Sequence, residues 1–281
     1  MLKKIRPALK FIKFSHTVFA LPFALISMLT AARGLPGGRV LALILVCMVG
    51  ARTAAMAFNR IVDWEFDKKN PRTAYRHQLL SRRDALLLCG ANLGIFLIAA
   101  AAINKLCLFL APLAILLILG YSLTKRFTSF SHAFLGLALA AAPMGAWAAV
   151  RGELWSPAPW LLAAGVLCWV FGFDLIYATM DAEFDRAHGL HSFPARFGIG
   201  AAIRLAAGLQ TIAWLCFLFF GVLGGLGKVY LAGLVLVAFA LGAELWLCRT
   251  SDMKRINWAF FQANAIVSVV LLASAALEFW V

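Results

Sequence analysis

Acidic residues are scarce in this chain, which has 12 Asp and Glu against 26 Lys and Arg among its 281 residues. All charged residues together make up 14% of the sequence, and hydrophobic residues make up 63%. A soluble domain carries roughly a quarter charged and roughly half apolar residues. The composition therefore excludes a soluble globular domain and predicts an integral membrane protein.

Paired cysteines are also missing. Each of the six cysteines stands alone in an apolar run, without a CxxC pair and without a histidine at metal-ligand spacing. The sequence therefore predicts neither a disulfide framework nor a cysteine metal site, and we interpret the thiols as packing residues. They are Cys47, Cys89, Cys107, Cys168, Cys216 and Cys248.

The net charge of +14 would suit a nucleic-acid-binding protein. Here, however, the basic residues lie in short clusters between long apolar runs, which is typical of the loops of membrane proteins. We therefore expect no nucleic-acid partner. Such clusters attract anionic lipid head groups or a phosphorylated substrate.

Apolar runs of about 20 residues cross a bilayer as helices. The chain has nine such runs, near residues 15–33, 40–63, 84–103, 106–123, 130–150, 159–181, 204–223, 229–248 and 257–279. No segment between them is long enough for a soluble domain. The sequence therefore predicts one all-α membrane domain over residues 1–281, with nine transmembrane helices.

The first 14 residues are basic and amphipathic, with apolar positions at Leu2, Ile5, Leu9 and Ile12. This spacing predicts a helix that lies on the membrane surface. We favour it over a signal peptide, because the apolar run that follows contains His16 and a proline.

The distribution of Lys and Arg predicts the orientation. With nine spans, 19 of the 26 basic residues lie on the side of the N-terminus, five lie on the opposite side, and two lie within the second span. Since positive loops stay on the cytoplasmic side, the N-terminus is expected there, in a bacterial-type inner membrane.

Half of the acidic residues lie in two similar pentads, DWEFD (63–67) and DAEFD (181–185). The first ends span two and the second ends span six, so both are expected at the cytoplasmic face. In each pentad the two aspartates are four residues apart and share one helix face. Glu65 and Glu183 lie on another face, where we expect them in solvent, with Lys69 and Arg186 as possible partners.

The polar face of each pentad continues inward along its span. In span two it includes Arg52 and Asn59, and in span six it includes Asp174 and Tyr177. Polar groups at membrane depth are costly and usually face an internal cavity, so each stripe indicates a functional site.

Four aspartates on one face of the membrane suit hard divalent cations, because Mg²⁺ prefers oxygen ligands and shares itself with phosphates. The pentads therefore predict Mg²⁺ bound together with a diphosphate. A mere pairing of the aspartates with head-group lysines and arginines would not explain two extended copies. A cation-coupled transporter remains an alternative from a different class, although it would place its acids nearer the bilayer centre.

The motifs resemble those of the UbiA superfamily of intramembrane prenyltransferases. NRIVDWEFD (59–67) is similar to the family's first motif and DLIYATMDAEFD (174–185) to its second. YSLTK (121–125) matches the motif between them, and GLHSFPARFG (189–198) resembles the segment that follows the second. The resemblance covers nearly the whole chain and implies the family's helical membrane fold.

The resemblance also implies an activity: Mg²⁺-dependent transfer of a polyprenyl group from its diphosphate to an aromatic acid. A 4-hydroxybenzoate acceptor in ubiquinone or menaquinone synthesis is the nearest match, with a dihydroxynaphthoate as the alternative. No obligate protein partner is implied. The metal would be held by Asp63, Asp67, Asp181 and Asp185. The diphosphate would be bound by Asn59, Arg72, Lys125 and Arg126. The chamber below would be lined by Arg52, Tyr121, Asp174 and Tyr177, and the acceptor carboxylate would lie on Arg52 or Arg126. Asp174 would also be a catalytic residue, together with the four metal-binding aspartates.

The sequence departs from the family at two places. YRHQLLS (75–81) replaces the usual turn after the first motif, although Arg76 is retained, and His191 stands where many members have lysine. We interpret His191 as a loop residue, and His16 and His132 as helix-end or packing residues.

Overall fold

The computed structural model describes residues 7, 10–12, 20–70, 73–248 and 253–279, with the backbone alone at residue 77 and residues 253–260. These residues form helices and turns, and no strand occurs among them. Helices α1 to α6 are Leu21–Ala32, Gly38–Val62, Trp64–Lys69, Arg82–Ile103, Lys105–Thr124 and Ser131–Arg151. Helices α7 to α12 are Pro157–Ala178, Ala182–Ala187, Phe193–Phe197, Ile199–Gly224, Lys228–Leu247 and Met253–Leu277. Short 3₁₀ helices cover Ala74–Gln78 and Thr179–Asp181.

Within the described part of the chain, seven helices are long and apolar enough to cross a membrane, namely α2, α4, α5, α6, α7, α10 and α11. Helix α1 has 12 residues, and the described side chains of α12 run only from Phe261 to Leu277. The all-helical membrane fold is confirmed, whereas the predicted number of nine spans is not.

The predicted surface leader over residues 1–14 lies mostly outside the described residues, and so does His16. Of its predicted apolar face, Ile12 is described. It is buried together with Phe11 in a cluster that includes Ala54 and Ala57 of α2.

Side-chain caps fix the start of three spans. Ser81, Asn104 and Ser156 each accept a hydrogen bond from a backbone N–H in the first turn of α4, α5 and α7, respectively. Such caps satisfy N–H groups that have no partner within the helix. At the other end, α6 and α10 stop at Gly152 and Gly225, whose φ angles of 69° and 70° favour glycine.

Helix α7 divides the bundle into two parts. On one side it packs against α10 and also contacts α1 and α12, around a solid aromatic core. There the ring of Phe23 lies 5.0 Å from that of Trp169 and 5.5 Å from that of Phe217. On its other side α7 packs against α6, which contacts α5 and α2, while α4 packs against α2. These five helices surround a cavity.

Candidate active site

The cavity has a volume of about 790 Å³ and carries both aspartate motifs at one end. Its wall extends to Ile103, the last residue of α4, and to Trp160, in the first turn of α7. Because both of those residues lie at the end of the bundle opposite the motifs, the cavity crosses most of the membrane-spanning region. Below the aspartates its wall is mainly aliphatic, so a polar mouth opens into an apolar chamber.

The first motif lies where α2 passes into α3. Asp63 has φ −87° and ψ 11° and separates the two helices. Its N–H still donates to the carbonyl of Asn59 (3.0 Å), and the N–H of Asp67 donates to the carbonyl of Asp63 (2.7 Å). The break therefore keeps the spacing of a helical turn, and both carboxylates line the cavity.

The second motif repeats this arrangement. Helix α7 ends at Ala178, a 3₁₀ turn ends at Asp181, and Asp185 lies in the short α8. Asp181 has φ −108° and ψ 4°, close to the values of Asp63. The sequence predicted the two motifs on uninterrupted helix faces. In the structure each helix is interrupted at the first aspartate of its motif.

Asp67 lies between two arginines. Arg60 donates to Oδ2 at 3.0 Å and Arg76 donates to Oδ1 at 2.9 Å. All three side chains are at most 12% exposed. A buried carboxylate needs such compensation, because removal from water costs several kcal/mol. Arg60 also donates to the side-chain oxygen of Asn59, whose amide donates to Asp63 at 3.2 Å.

Lys125 and Asn70 connect the second motif with the rest of the mouth. The Lys125 ammonium lies 3.2 Å from Oδ2 of Asp185, which is 1% exposed. The amide of Asn70, directly after α3, donates to Asp181 at 3.5 Å and so joins the two motifs. Arg126 donates to the carbonyl of Val62 at 2.8 Å, which ties the end of α5 to the end of α2.

The mouth shifts the pKa values of two of its charged groups. Burial raises the pKa of Asp63, although the nearby Arg60 opposes the shift. Burial by itself lowers the pKa of Lys125, but the carboxylates of Asp185 and Asp181 more than offset this, so its pKa is raised. Lys125 is therefore positively charged at neutral pH. A further positive charge near Asp63 would stabilise its carboxylate form.

Arg52 lies deeper in the cavity, together with Tyr121 and Tyr177. Within the described residues Arg52 makes no ion pair, and its Nε is buried without a hydrogen-bond partner. An uncompensated guanidinium at membrane depth is costly and indicates a binding site for an anionic group.

Asp174 lies in the same wall and is bound to His132. Nδ1 of His132 lies 2.6 Å from Oδ2 of Asp174. The His132 side chain is 1% exposed and that of Asp174 is 22% exposed. His132 lies in the first turn of α6, as the sequence suggested, but it also contacts a predicted site residue.

Eleven of the twelve predicted site residues line this one cavity. They are Arg52, Asn59, Asp63, Asp67, Tyr121, Lys125, Arg126, Asp174, Tyr177, Asp181 and Asp185. Arg72 lies outside the described residues. Their functional roles stay predictions.

Sequence reasoning did not assign Arg60, Asn70, Arg76 or His132 to the site, although all four line the cavity. A signal existed for Arg60, since it lies within a membrane span and seven residues, or two helical turns, before Asp67. Asn70 and His132 act across helices and left no periodic signal in the sequence.

The other charged and loop predictions have mixed outcomes. Glu65 is exposed, as predicted, but it pairs with Lys68 at 3.2 Å rather than with Lys69. Glu183 is exposed, and Arg186 donates to the carbonyl of Ala195. His191 is exposed, and its backbone N–H donates to the carbonyl of Lys125.

The donor set of the mouth fits Mg²⁺, since it offers carboxylate and amide oxygens. Among the described residues, no three His, Cys, Asp or Glu side chains come together as a complete metal site. Each motif instead offers a pair of carboxylates toward the cavity. This suits a metal ion that takes its remaining ligands from a bound phosphate.

The model of the UbiA prenyltransferase family matches residues 20–266. The chain is 31% identical over 247 residues to a 4-hydroxybenzoate octaprenyltransferase of Shewanella halifaxensis, covering 84% of this chain and 85% of that protein. A protein of the same name from Nitrosospira multiformis is 33% identical over 265 residues, covering 89% and 87%.

Solved structures show the same similarity. The apo structure of a UbiA homolog from Aeropyrum pernix K1 is 32% identical, with a TM-score of 0.86 over 94% of this chain and 98% of that one. A UbiA homolog from Archaeoglobus fulgidus bound to GPP and Mg²⁺ is 18% identical, with a TM-score of 0.69 over 98% and 100%, and supports the fold alone.

The two arginines around Asp67 yield a stability prediction. Asp67→Ala leaves two buried guanidinium groups facing each other without a carboxylate, so it should destabilise the protein by about 3 kcal/mol. The matched control is Glu65→Ala, which removes an exposed ion pair from the same pentad and should cost about 0.5 kcal/mol or less. Reversible unfolding in mixed micelles measures the free energy of unfolding of both variants. Equal losses of stability would contradict the role of Asp67 in compensating Arg60 and Arg76.

Proposed function

The chain belongs to the UbiA prenyltransferase family and is an integral membrane prenyltransferase, and from this we propose that it transfers a polyprenyl group to the ring of 4-hydroxybenzoate. The donor is polyprenyl diphosphate and the reaction depends on Mg²⁺. One observation carries the proposal: two aspartate motifs and a set of cations share the mouth of a long apolar cavity.

The mouth suits the diphosphate. Asp63, Asp67, Asp181 and Asp185 would hold Mg²⁺, which when bound neutralises negative charge on the diphosphate. Asn59 contacts Asp63 and orients it, and Lys125 and Arg126 line the cavity as phosphate-binding cations. Arg72 joins this set by resemblance to the family. The structure of a family member bound to GPP and Mg²⁺ agrees with such a donor complex.

The chemistry begins with cleavage of the allylic C–O bond, whose electron pair leaves with the diphosphate. Fixed cations at the mouth stabilise that charge as it develops. The apolar chamber excludes water, so the prenyl cation reacts with the aromatic ring rather than with a water molecule. Since the chamber extends to Ile103 and Trp160, it also has room for a long prenyl chain.

Arg52 supports an aromatic acid as the acceptor. Its guanidinium has no ion-pair partner among the described residues, and it lines the chamber below the mouth. Arg126, the other candidate, already donates to Val62. A carboxylate on Arg52 would satisfy the buried cation. The relatives named 4-hydroxybenzoate octaprenyltransferase support this ring over a dihydroxynaphthoate.

The setting of the enzyme belongs to the same proposal. The excess of Lys and Arg on one side supports a cytoplasmic N-terminus and active site in the inner membrane. Residues 1–281 then form one domain, with residues 1–14 as a surface leader. The product would enter ubiquinone or menaquinone synthesis.

If the aspartates of the pentads bind the metal, substitution of an aspartate should affect the activity far more than substitution of the glutamate in the same pentad. Asp63→Ala and Asp181→Ala should abolish formation of prenylated acid, because each removes a carboxylate from the mouth. Glu65→Ala and Glu183→Ala, matched controls with exposed side chains, should keep nearly full activity. The assay uses purified protein, Mg²⁺ and geranyl diphosphate, with 4-hydroxybenzoate and a dihydroxynaphthoate tested in parallel. Full activity in either aspartate variant would refute the assignment, and a preference for the naphthoate would change the acceptor.

The proposed role of Arg52 predicts that its substitution weakens binding of the aromatic acid but not of the prenyl diphosphate. Arg52→Ala should raise KM for 4-hydroxybenzoate about 10- to 100-fold, since a charged hydrogen bond is worth about 1.5–3 kcal/mol. The KM for geranyl diphosphate should stay within about twofold, because the diphosphate lies at the mouth. Arg39→Ala, at the opposite end of the bundle, is the control. Equal effects on both substrates would argue against Arg52 as the acceptor site.

A further inference from the structure

His132 and Asp174 form a pair that the reaction outlined above does not yet use. The pair joins α6 to α7 in the wall of the cavity, with 2.6 Å between Nδ1 of His132 and Oδ2 of Asp174. Within the described part of the chain, Oδ1 of Asp174 makes no hydrogen bond. The carboxylate therefore has one oxygen held by histidine and one available to a molecule in the cavity.

Asp174 has two nitrogen groups near it. Nδ1 of His132 is hydrogen-bonded to Oδ2 of Asp174, and the Lys125 ammonium lies within electrostatic range of the same carboxyl group. When Nδ1 of His132 donates this hydrogen bond, it fixes the rotation of the Asp174 carboxyl group. The other ring nitrogen of His132, Nε2, is buried and has no hydrogen-bond partner in the described part of the chain, which costs about 1–3 kcal/mol. A purely structural contact between α6 and α7 would not require this cost.

Asp174 lies at about the distance from the mouth of the cavity at which we expect the ring of the acceptor. Helices α2 and α7 both end at the mouth, so levels along them can be compared. Asp174 precedes Asp181 by seven residues, which is about 10 Å, and Arg52 precedes Asp63 by eleven residues, which is about 16 Å. An acid whose carboxylate lies on Arg52 would therefore present its ring near the level of Asp174.

We propose that Asp174 is the base that removes the ring proton of the acceptor, and that His132 is the positioning residue that holds Asp174 for this step. The inference rests on the proposed function. The C–O bond of the donor breaks, its electron pair leaves with the diphosphate, and a ring π pair forms the new C–C bond. The C–H bond at that ring carbon then breaks. Its proton goes to Oδ1 of Asp174, and its electron pair restores the aromatic ring.

Ring-deuterated 4-hydroxybenzoate tests the role of Asp174. Loss of a general base typically costs about 100-fold or more in rate, so Asp174→Asn should slow product formation by at least that factor. Proton removal should then limit the rate, so an isotope effect well above one should appear that is absent or small in the wild type. The affinity for geranyl diphosphate with Mg²⁺ should be unchanged, which also shows that the variant is folded. An equal loss of that affinity, or a slower rate without an isotope effect, would overturn the proposal.

Two variants of His132 test its positioning role. His132→Phe removes the hydrogen bond and should show the same isotope effect as Asp174→Asn. His132→Gln retains an N–H donor and should restore most of the rate. Equal defects without an isotope effect would indicate packing alone and would contradict the proposal, as would full activity of the phenylalanine variant.

The control is His188→Gln, which changes an exposed histidine outside the cavity wall and should leave the rate unchanged. Failure of the proposed function has a different signature, because the wild type would then form no prenylated acid.

Discussion

Charge compensation between carboxylates and cations at one end of an apolar bundle is the constraint on which the site depends. Asp67 is held by Arg60 and Arg76, and Asp185 is held by Lys125. Asp174 is held by a hydrogen bond with His132. Each group alone would cost several kcal/mol at this depth. Opposite charges on neighbouring helices reduce that cost and keep the groups turned toward the cavity. Arg52 is an exception, because it has no ion-pair partner among the residues that the structure describes, and for this reason we assign it to a substrate.

The bundle assigns different tasks to its two parts. The aromatic core between α7, α10, α11, α12 and α1 is filled by side chains such as Trp169 and Phe217 and gives α7 a firm support. The other face of α7 borders the cavity and carries Asp174 and Tyr177. The packed aromatic core on one face of α7 therefore supports this helix, while its other face lines an open chamber. An intramembrane prenyltransferase needs such a chamber for a long apolar substrate.

Much of this arrangement could be predicted from the sequence, because its signals are local. Apolar length predicts the helical membrane fold, although nine spans were expected and seven helices of the described part are long and apolar enough. The four-residue spacing in DWEFD and DAEFD predicts which carboxylates face the cavity. Contacts between helices could not be predicted in this way. The pairing of His132 with Asp174 depends on which helix lies beside α6, and no periodicity within one helix contains that information. The interruption at Asp63 was missed for another reason, since the hydrogen bonds across it keep helical spacing and leave the sequence pattern intact. At Asp181 a single 3₁₀ turn interrupts the helix without changing the four-residue spacing of the aspartates.

The central claim is that the two motifs act as one site, with a diphosphate between them. A crystal structure of the protein with geranyl diphosphate and Mn²⁺, which replaces Mg²⁺ and scatters anomalously, tests it most directly. The account predicts anomalous density at the mouth of the cavity, in contact with carboxylates of both pentads and with the diphosphate. Metal bound to only one pentad, or away from the diphosphate, would contradict it.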